Sequence, residues 1–433
     1  MSAVEPISER ALGRALLARQ GLLERLQLPL VQAVEAIGAM QGQAWGALPV
    51  GLWTRLAEFA PADLYSALAR RELLWGIGIR GTLHLVSARE HPAYATLAEG
   101  GWTGSWHRAI ERTTPAMVQL RVALLQFTAS EPRSNEEIRD FVEAWVGEHA
   151  DAIDGRELAA QRELKWRPIY RWSALTRAPK SGEWGSKAPA DHFAAPWSVR
   201  ARARAHDVSL QTVGEDTDGK SAASENPAGE SPAGKSPAGE SPAGENPAGE
   251  NPAGERELER AREQLVRAHL RAFGPAAAED VACWLGSRTP PVRATLQRLA
   301  SELAVFADEH GRTLYDLPDA PRPGPDTLAP PRLLGAFDST LLAYAVKRRA
   351  RIMPEALRGI VYQKANLQVR PSFLVDGLVA GTWSLDASRR EAVLTLRPAS
   401  RLARGVRGAL QVEAEGLLRA LHPGARAQRV VFE

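Results

Sequence analysis

The chain has 433 residues, 44% of them hydrophobic, and carries 54 Lys and Arg against 51 Asp and Glu for a formal charge of +3. That length leaves room for about two to four domains with ordinary cores. No run of about 18 apolar residues occurs, which excludes a hydrophobic membrane-spanning helix, and the single cysteine excludes an intramolecular disulfide.

Met1 to Glu9 carries two glutamates where a secretory leader would be basic and then apolar, so the expected compartment is the cytoplasm. Nine scattered histidines lack metal-ligand spacing, and neither a metal nor a cofactor is expected. Charge is unevenly distributed. Residues 214–255 hold nine acidic groups and two lysines, whereas residues 331–433 hold 17 Lys and Arg against 8 Asp and Glu. A basic field concentrated at one end is the footprint of a polyanion binder, although an Arg-rich genome leaves a similar trace.

Taken in chain order, residues 7–95 read as three helices and a hairpin. Ser8 caps the first helix, with Ile7 and Leu12 placed as a staple and Leu12, Leu16, Leu23 and Leu26 on one face. A second helix from about Pro29 buries Val31, Val34 and Ile37 and ends near Gln41. Pro61 opens a third. Leu73 to Ile79 and Thr82 to Val86 are strands around Arg80-Gly81. This is the order of a winged helix.

Gln41-Gly42-Gln43 stands out. Two amides two positions apart do not share a helix face but do share the face of an extended segment, so the helix is expected to break here, with Gly42 permitting the break. Converging amides could hold a water or a sugar, or the stretch could be a polar helix terminus with no duty.

The helical order recurs at 115–200, where Ser134-Asn135-Glu136-Glu137 forms a capping box, and again after a spacer. Six pentapeptides of the form Asn/Ser-Pro-Ala-Gly-Glu/Lys fill residues 226–255, too rich in Pro and Gly to bury a core. Beyond it, Arg256 to Phe273, Ala276 to Leu285 and a helix capped at Thr289-Pro290 precede strands at Ala304 to Ala307 and Thr313 to Leu317. The last hundred residues look β-rich, with Asp376-Gly377 as a hairpin turn.

The expected architecture is therefore α+β. Winged helices occupy 1–100, 101–213 and 256–330, a disordered spacer occupies 214–255, and a basic β-rich module occupies 331–433.

Several segments together resemble one family: Gln41-Gly42-Gln43, Gly51-Leu52-Trp53-Thr54-Arg55-Leu56, Arg80-Gly81-Thr82-Leu83-His84-Leu85-Val86, Gly274-Pro275 ahead of Trp284, Gly335-Ala336-Phe337-Asp338, and Phe373 to Trp383. The chain resembles the bacterial winged-helix DNA glycosylases of the AlkZ and YcaQ type. The resemblance implies hydrolysis of the bond between deoxyribose and an alkylated purine, including interstrand crosslinks through guanine N7. It also implies a double-stranded DNA partner and catalysis by Gln41 and Gln43. Gly42 stands where that family has a larger apolar residue.

An N7-alkylated guanine already carries positive charge and leaves without strong acid help. The protein then has only to orient water and stabilise a sugar of oxocarbenium character, which amide oxygens can do. Other candidate DNA contacts are Arg80, Thr82 and His84 at the hairpin, together with Lys347, Arg348, Arg349 and Arg351. His84 equally suits a hydrogen-bonded structural role, and the basic run equally suits a solvated face. The chain is expected to act as a monomer. The competing reading is a non-catalytic winged-helix DNA-binding regulator in which the glutamines touch phosphate or cap a helix.

Overall fold

A computed structural model describes residues 6–100, 115–185, 187, 189–198, 252–363 and 367–433. The pentapeptides as far as Asn251 lie outside the described residues.

Helix α1 (Glu9–Arg19) starts where the Ser8 hydroxyl accepts the Ala11 N–H at 3.2 Å. It stops well short of Leu23. Gly21 adopts a φ of 65°, and a side chain there would lie 2.6 Å from the Arg55 carbonyl, so the chain turns away at this point. Helix α2 (Leu30–Ile37) ends at Gly38, whose φ of 78° takes the backbone out of the helix. The chain then extends into β1 (Met40–Gln41) before α3 (Ala47–Arg55), a helix that apolar periodicity alone did not suggest. Helix α4 (Pro61–Ala69), with Pro61 in its first turn, leads into the hairpin of β2 (Leu73–Ile77) and β3 (Leu83–Ser87).

Helices α5 (His91–Gly100), α6 (Pro115–Phe127), α7 (Asn135–Glu148) and α8 (Gly155–Glu163) follow. The capping box at α7 forms as expected, Ser134 and Glu137 each accepting the other's backbone N–H. Strands β4 (Leu175–Arg177) and β5 (His192–Ala194) do not make a separate sheet. They extend the first one, giving an antiparallel five-stranded sheet in the order β1-β3-β2-β4-β5. The expected boundary near residue 100 therefore runs across a single sheet.

Helix α9 (Pro252–Phe273) begins inside the last pentapeptide, because a proline in the first turn has no intrahelical N–H to lose. Helices α10 (Ala278–Leu285) and α11 (Thr289–Arg298) and strands β6 (Ala304–Ala307) and β7 (Thr313–Asp316) complete a helix-rich unit closed by a hairpin. Arg288, not Thr289, is the residue flanking α11, while Thr289 and Pro290 occupy its first turn.

The carboxy-terminal module is less purely β than its strand signals imply. Strands β8 (Arg332–Leu334), β9 (Tyr362–Gln363), β10 (Gln368–Val369), β11 (Ser372–Val375), β12 (Leu378–Ala387), β13 (Glu391–Pro398) and β14 (Ala427–Phe432) are joined by a long helix, α12 (Arg404–Leu421). The main sheet runs β14-β13-β12-β11-β8. Through α12, β14 lies parallel to β13. Asp376 and Gly377 take φ of 48° and 81°, the two left-handed residues of a tight hairpin turn.

One core unites the two halves. Leu16 and Leu17 of α1, Tyr94 of α5, Leu265 and Phe273 of α9, Trp284 of α10, Tyr344 and Leu374 pack together. A second core lies on the opposite face of the first sheet, where Val34, Ile37, Met40, Leu48, Leu52, Trp75 and Leu85 meet. Both faces of the sheet that carries the glutamines are thus covered; Met40 and Gln41 of β1 are buried, and the chain reaches solvent just beyond the strand, at Gln43.

Candidate functional site

The backbone is extended at Gln41, which pairs with His84 across the ladder, and Gly42 N–H continues the ladder to the Leu83 carbonyl at 2.7 Å. Side chains in such a segment alternate between faces. Gly42 accordingly turns toward the second core, where a side chain would meet Trp75 Nε1 at 2.6 Å and Leu48 Cδ1 at 3.3 Å. Trp75 fills the space that a larger residue would need, and its Nε1–H donates to the Gly42 carbonyl at 3.1 Å.

Gln41 and Gln43 attach to the same stretch of the β2–β3 hairpin. Gln41 Oε1 accepts from Arg80 Nη2 at 3.0 Å, and Gln43 Oε1 accepts the Leu83 N–H at 3.2 Å. Gln41 is 8% exposed, whereas Gln43 is open to solvent. Each amide oxygen keeps one lone pair, and the amide N–H groups are the donors left for a ligand. The sequence reading put the chemistry on the oxygens. The geometry gives each oxygen an internal donor and so fixes which way each amide faces. Two residues on from Gln43, Trp45 stacks with Tyr65 and with Trp184, and its Nε1–H donates to the Gly185 carbonyl.

Arg80 adopts a left-handed φ of 55°, a costly conformation for a residue with a Cβ and one held by its contacts. Its Nη1 donates to the Trp284 carbonyl in α10, so the hairpin is tied to the helices beyond the spacer. Burial lowers the guanidinium pKa to about 10, with Arg349 adding repulsion. His84 is 2% exposed. Its Nδ1 lies 2.9 Å from the Thr82 carbonyl and therefore carries the proton, while the buried Nε2 has no partner among the described residues. Burial, and secondarily Arg80, push its pKa to about 3, so the ring is neutral under ordinary conditions. Thr82 closes the turn through its hydroxyl and the Ile79 carbonyl.

The basic run does not form one solvated strip. Lys347 is exposed. Arg348 binds Asp280 at 2.9 Å and Glu279 at 3.0 Å, Arg349 donates to the Tyr344 carbonyl, and Arg351, 4% exposed, donates to the Pro275 carbonyl over the Tyr344 ring. Arg348 thus joins the carboxy-terminal module to α10 and Arg351 joins it to the residues just before α10, while Arg349 bonds within the module.

Sequence reasoning did not single out Trp75, Ser339, Arg55 or Asp338 as parts of this site, although Arg55 and Asp338 sit in two of the segments that carried the family resemblance. Arg55 and Asp338 form a buried two-point ion pair at 2.8 and 3.0 Å. They line a cavity of about 10 Å³ together with Gln20, Gln41 and Ser339, room for a single water. A groove of about 1240 Å³ between Leu26 and Glu72 includes neither Gln41 nor Gln43, so volume does not locate the chemistry here.

A family model described as DNA glycosylase AlkZ-like matches residues 34–420. Among solved structures the chain is similar to the DNA glycosylase AlkZ of Streptomyces sahachiroi, with a TM-score of 0.68 at 20% identity, covering 98% of this chain and 100% of that one. No curated protein sequence matches it. With the family model spanning most of its length, the chain belongs to the AlkZ-like DNA glycosylases.

Proposed function

We propose that this DNA glycosylase is a monofunctional, cofactor-independent hydrolase of N7-alkylated purines in duplex DNA, built from winged-helix units and acting as a monomer, with guanine N7 crosslinks among its substrates. One observation carries the reading. Gln41 at the end of edge strand β1 and Gln43 just beyond it are each fixed by a hydrogen bond to the Arg80–Leu83 stretch, and His84 beside them stays neutral. Two oriented amides and a neutral imidazole supply dipoles rather than a strong acid, which suits a base that is already a cation.

In the proposed step the C1′–N9 bond breaks and its electron pair passes to the alkylated base, which leaves neutral. Water held by the amides attacks C1′ and releases its second proton to solvent. The amide dipoles act on a sugar that gains positive charge only as the bond stretches, so their effect falls on the transition state. Arg80 also carries a cation close to that sugar, which favours a nearby phosphate as its second partner.

The regulator reading draws on one fact: both amide oxygens already have an internal donor. Release of 7-methylguanine from methylated duplex by the purified protein, beside Gln41→Ala and Gln43→Ala, decides between them. Expected is release by the wild type and a fall of about a hundredfold or more in each variant. Tight duplex binding with no base released would leave the regulator standing.

A further inference from the structure

Strand β1 is the outer strand of its sheet, so it is paired on one side only. Gly42 N–H points to β3, and in an antiparallel ladder the neighbouring Gln41 N–H and Ala39 carbonyl point the other way, toward an edge with no strand. The Ser339 side chain lies at that edge. The Ser339 hydroxyl donates to the Ala39 carbonyl at 3.0 Å and accepts the Gln41 N–H at 3.4 Å. It stands in for a missing strand at the residue that bears the buried glutamine.

Ser339 is itself held from behind. The preceding residue, Asp338, takes both arms of Arg55 and the backbone and hydroxyl donors of Thr340. Arg55 in turn donates to Gln20 Oε1 at 3.2 Å, and Gln20 Nε2 donates to the Ile37 carbonyl at 2.8 Å and to the Ala272 carbonyl at 2.9 Å. Ile37 is the last residue of α2, so this chain of bonds grips the segment at its root and again at Gln41. Gln20, Arg55 and Asp338 are all 7% exposed or less. A buried polar network with all these bonds made resists small displacements, and a shift of about 1 Å in a catalytic group can cost a hundredfold in rate.

We propose that Ser339, locked by the Asp338–Arg55 pair, is a positioning residue that sets the backbone of Gln41 for base excision. This rests on the proposed catalytic role of Gln41. The carboxamide tip is fixed by Arg80 and the main chain by Ser339, and both are needed for one orientation.

The test uses the full-length protein, single-turnover release of 7-methylguanine from duplex, duplex binding by anisotropy, and thermal unfolding. Ser339→Ala should slow release by about tenfold or more while binding and melting stay close to wild type, and Ser339→Thr should restore most of the rate. In a Gln41→Ala background Ser339→Ala should cost nothing further, because there is no amide left to place. Full activity in Ser339→Ala, no rescue by Thr, or an undiminished effect without Gln41 would each overturn the proposal. If the wild type releases no base, the catalytic reading fails by itself. Amide exchange at residues 39–42 then decides the placement: faster exchange in Ser339→Ala, reversed in Ser339→Thr, keeps Ser339 as the residue that sets this strand, and unchanged exchange removes it.

Discussion

Substituting Gly42 by alanine probes how the space between the two glutamines is filled. The added methyl would sit 2.6 Å from Trp75 Nε1 and 3.0 Å from its Cδ1. Trp75 is 1% exposed, lies 4.7 Å from the Trp45 ring and is covered by the Arg177 guanidinium at 5.3 Å, so it has little room to withdraw. Overpacking at such a site costs about 1–3 kcal/mol. An indole that does shift also loses its bond to the Gly42 carbonyl, leaving buried polar atoms unpaired at about 1–3 kcal/mol. Against this stands the reduced freedom of the unfolded chain, about 0.4–1 kcal/mol in favour of alanine. The expected net destabilisation is about 2–3 kcal/mol. Trp75→Phe removes the ring edge that the methyl would strike, so the double variant should be more stable than the sum of the singles by at least about 1 kcal/mol. Urea denaturation followed by far-ultraviolet circular dichroism measures all four corners of the cycle. Additivity within about 0.5 kcal/mol would refute the idea that Trp75 occupies the place of the family's apolar residue.

Two further outcomes follow from the charges. His84 has a folded pKa lowered from 6.5 to about 3 by burial, so between those values the unfolded chain binds a proton that the native one does not. Stability is therefore insensitive to this group above about pH 6.5 and falls as pH drops toward about 3; His91, His192 and His269, also lowered by burial, act in the same direction. Urea midpoints taken from about pH 7 to 4 should fall steadily and fall less steeply in His84→Gln, and an unaltered slope would contradict a neutral buried ring. In the basic run, Lys347→Ala should leave stability unchanged and lower the salt dependence of duplex binding by about one counterion. Arg348→Ala should instead destabilise by about 1–3 kcal/mol, because it strips a partner from Asp280, which is fully buried; the reverse pattern in binding and melting would place Arg348, not Lys347, on the DNA.

What could be read from the sequence was local. Ser8, the Ser134–Glu137 box and Asp376-Gly377 announce themselves because a cap or a left-handed turn depends on neighbours within about four residues. The break at Gln41-Gly42-Gln43 was legible for the same reason, although the helix ends four residues earlier, at Ile37, where Gly38 leaves it. What stayed hidden depends on long-range pairing. Nothing near Gln41 in the chain indicates that Arg80 will bind its amide or that Ser339, 298 residues away, will complete its strand edge. Strands β4 and β5 lie within residues 101–213, expected to be a separate winged helix, yet their short ladders find the free edge of β2. Charge was misleading in a similar way. Arg348 and Arg351 resemble surface cations in one dimension, but carboxylates of α10 engage Arg348 and the Pro275 carbonyl just before it engages the buried Arg351.

These hidden contacts share a direction. Arg80 to Trp284, Gln20 to Ala272 and Ser339 to Ala39 all bind the amino-terminal part of the chain to segments that follow the spacer. The glutamine pair is thus encoded in the first tenth of the chain, and its amides are held by Arg80 and Leu83, but Arg80 and the backbone of Gln41 are in turn tied to residues beyond the spacer. A fragment ending before the spacer would keep Gln41 and Gln43 and lose Ser339, the Asp338 partner of Arg55 and the Trp284 anchor of Arg80 together. It follows that the two halves on either side of the repeat form a single site-building unit, and that the spacer's length can vary only as far as that closure permits.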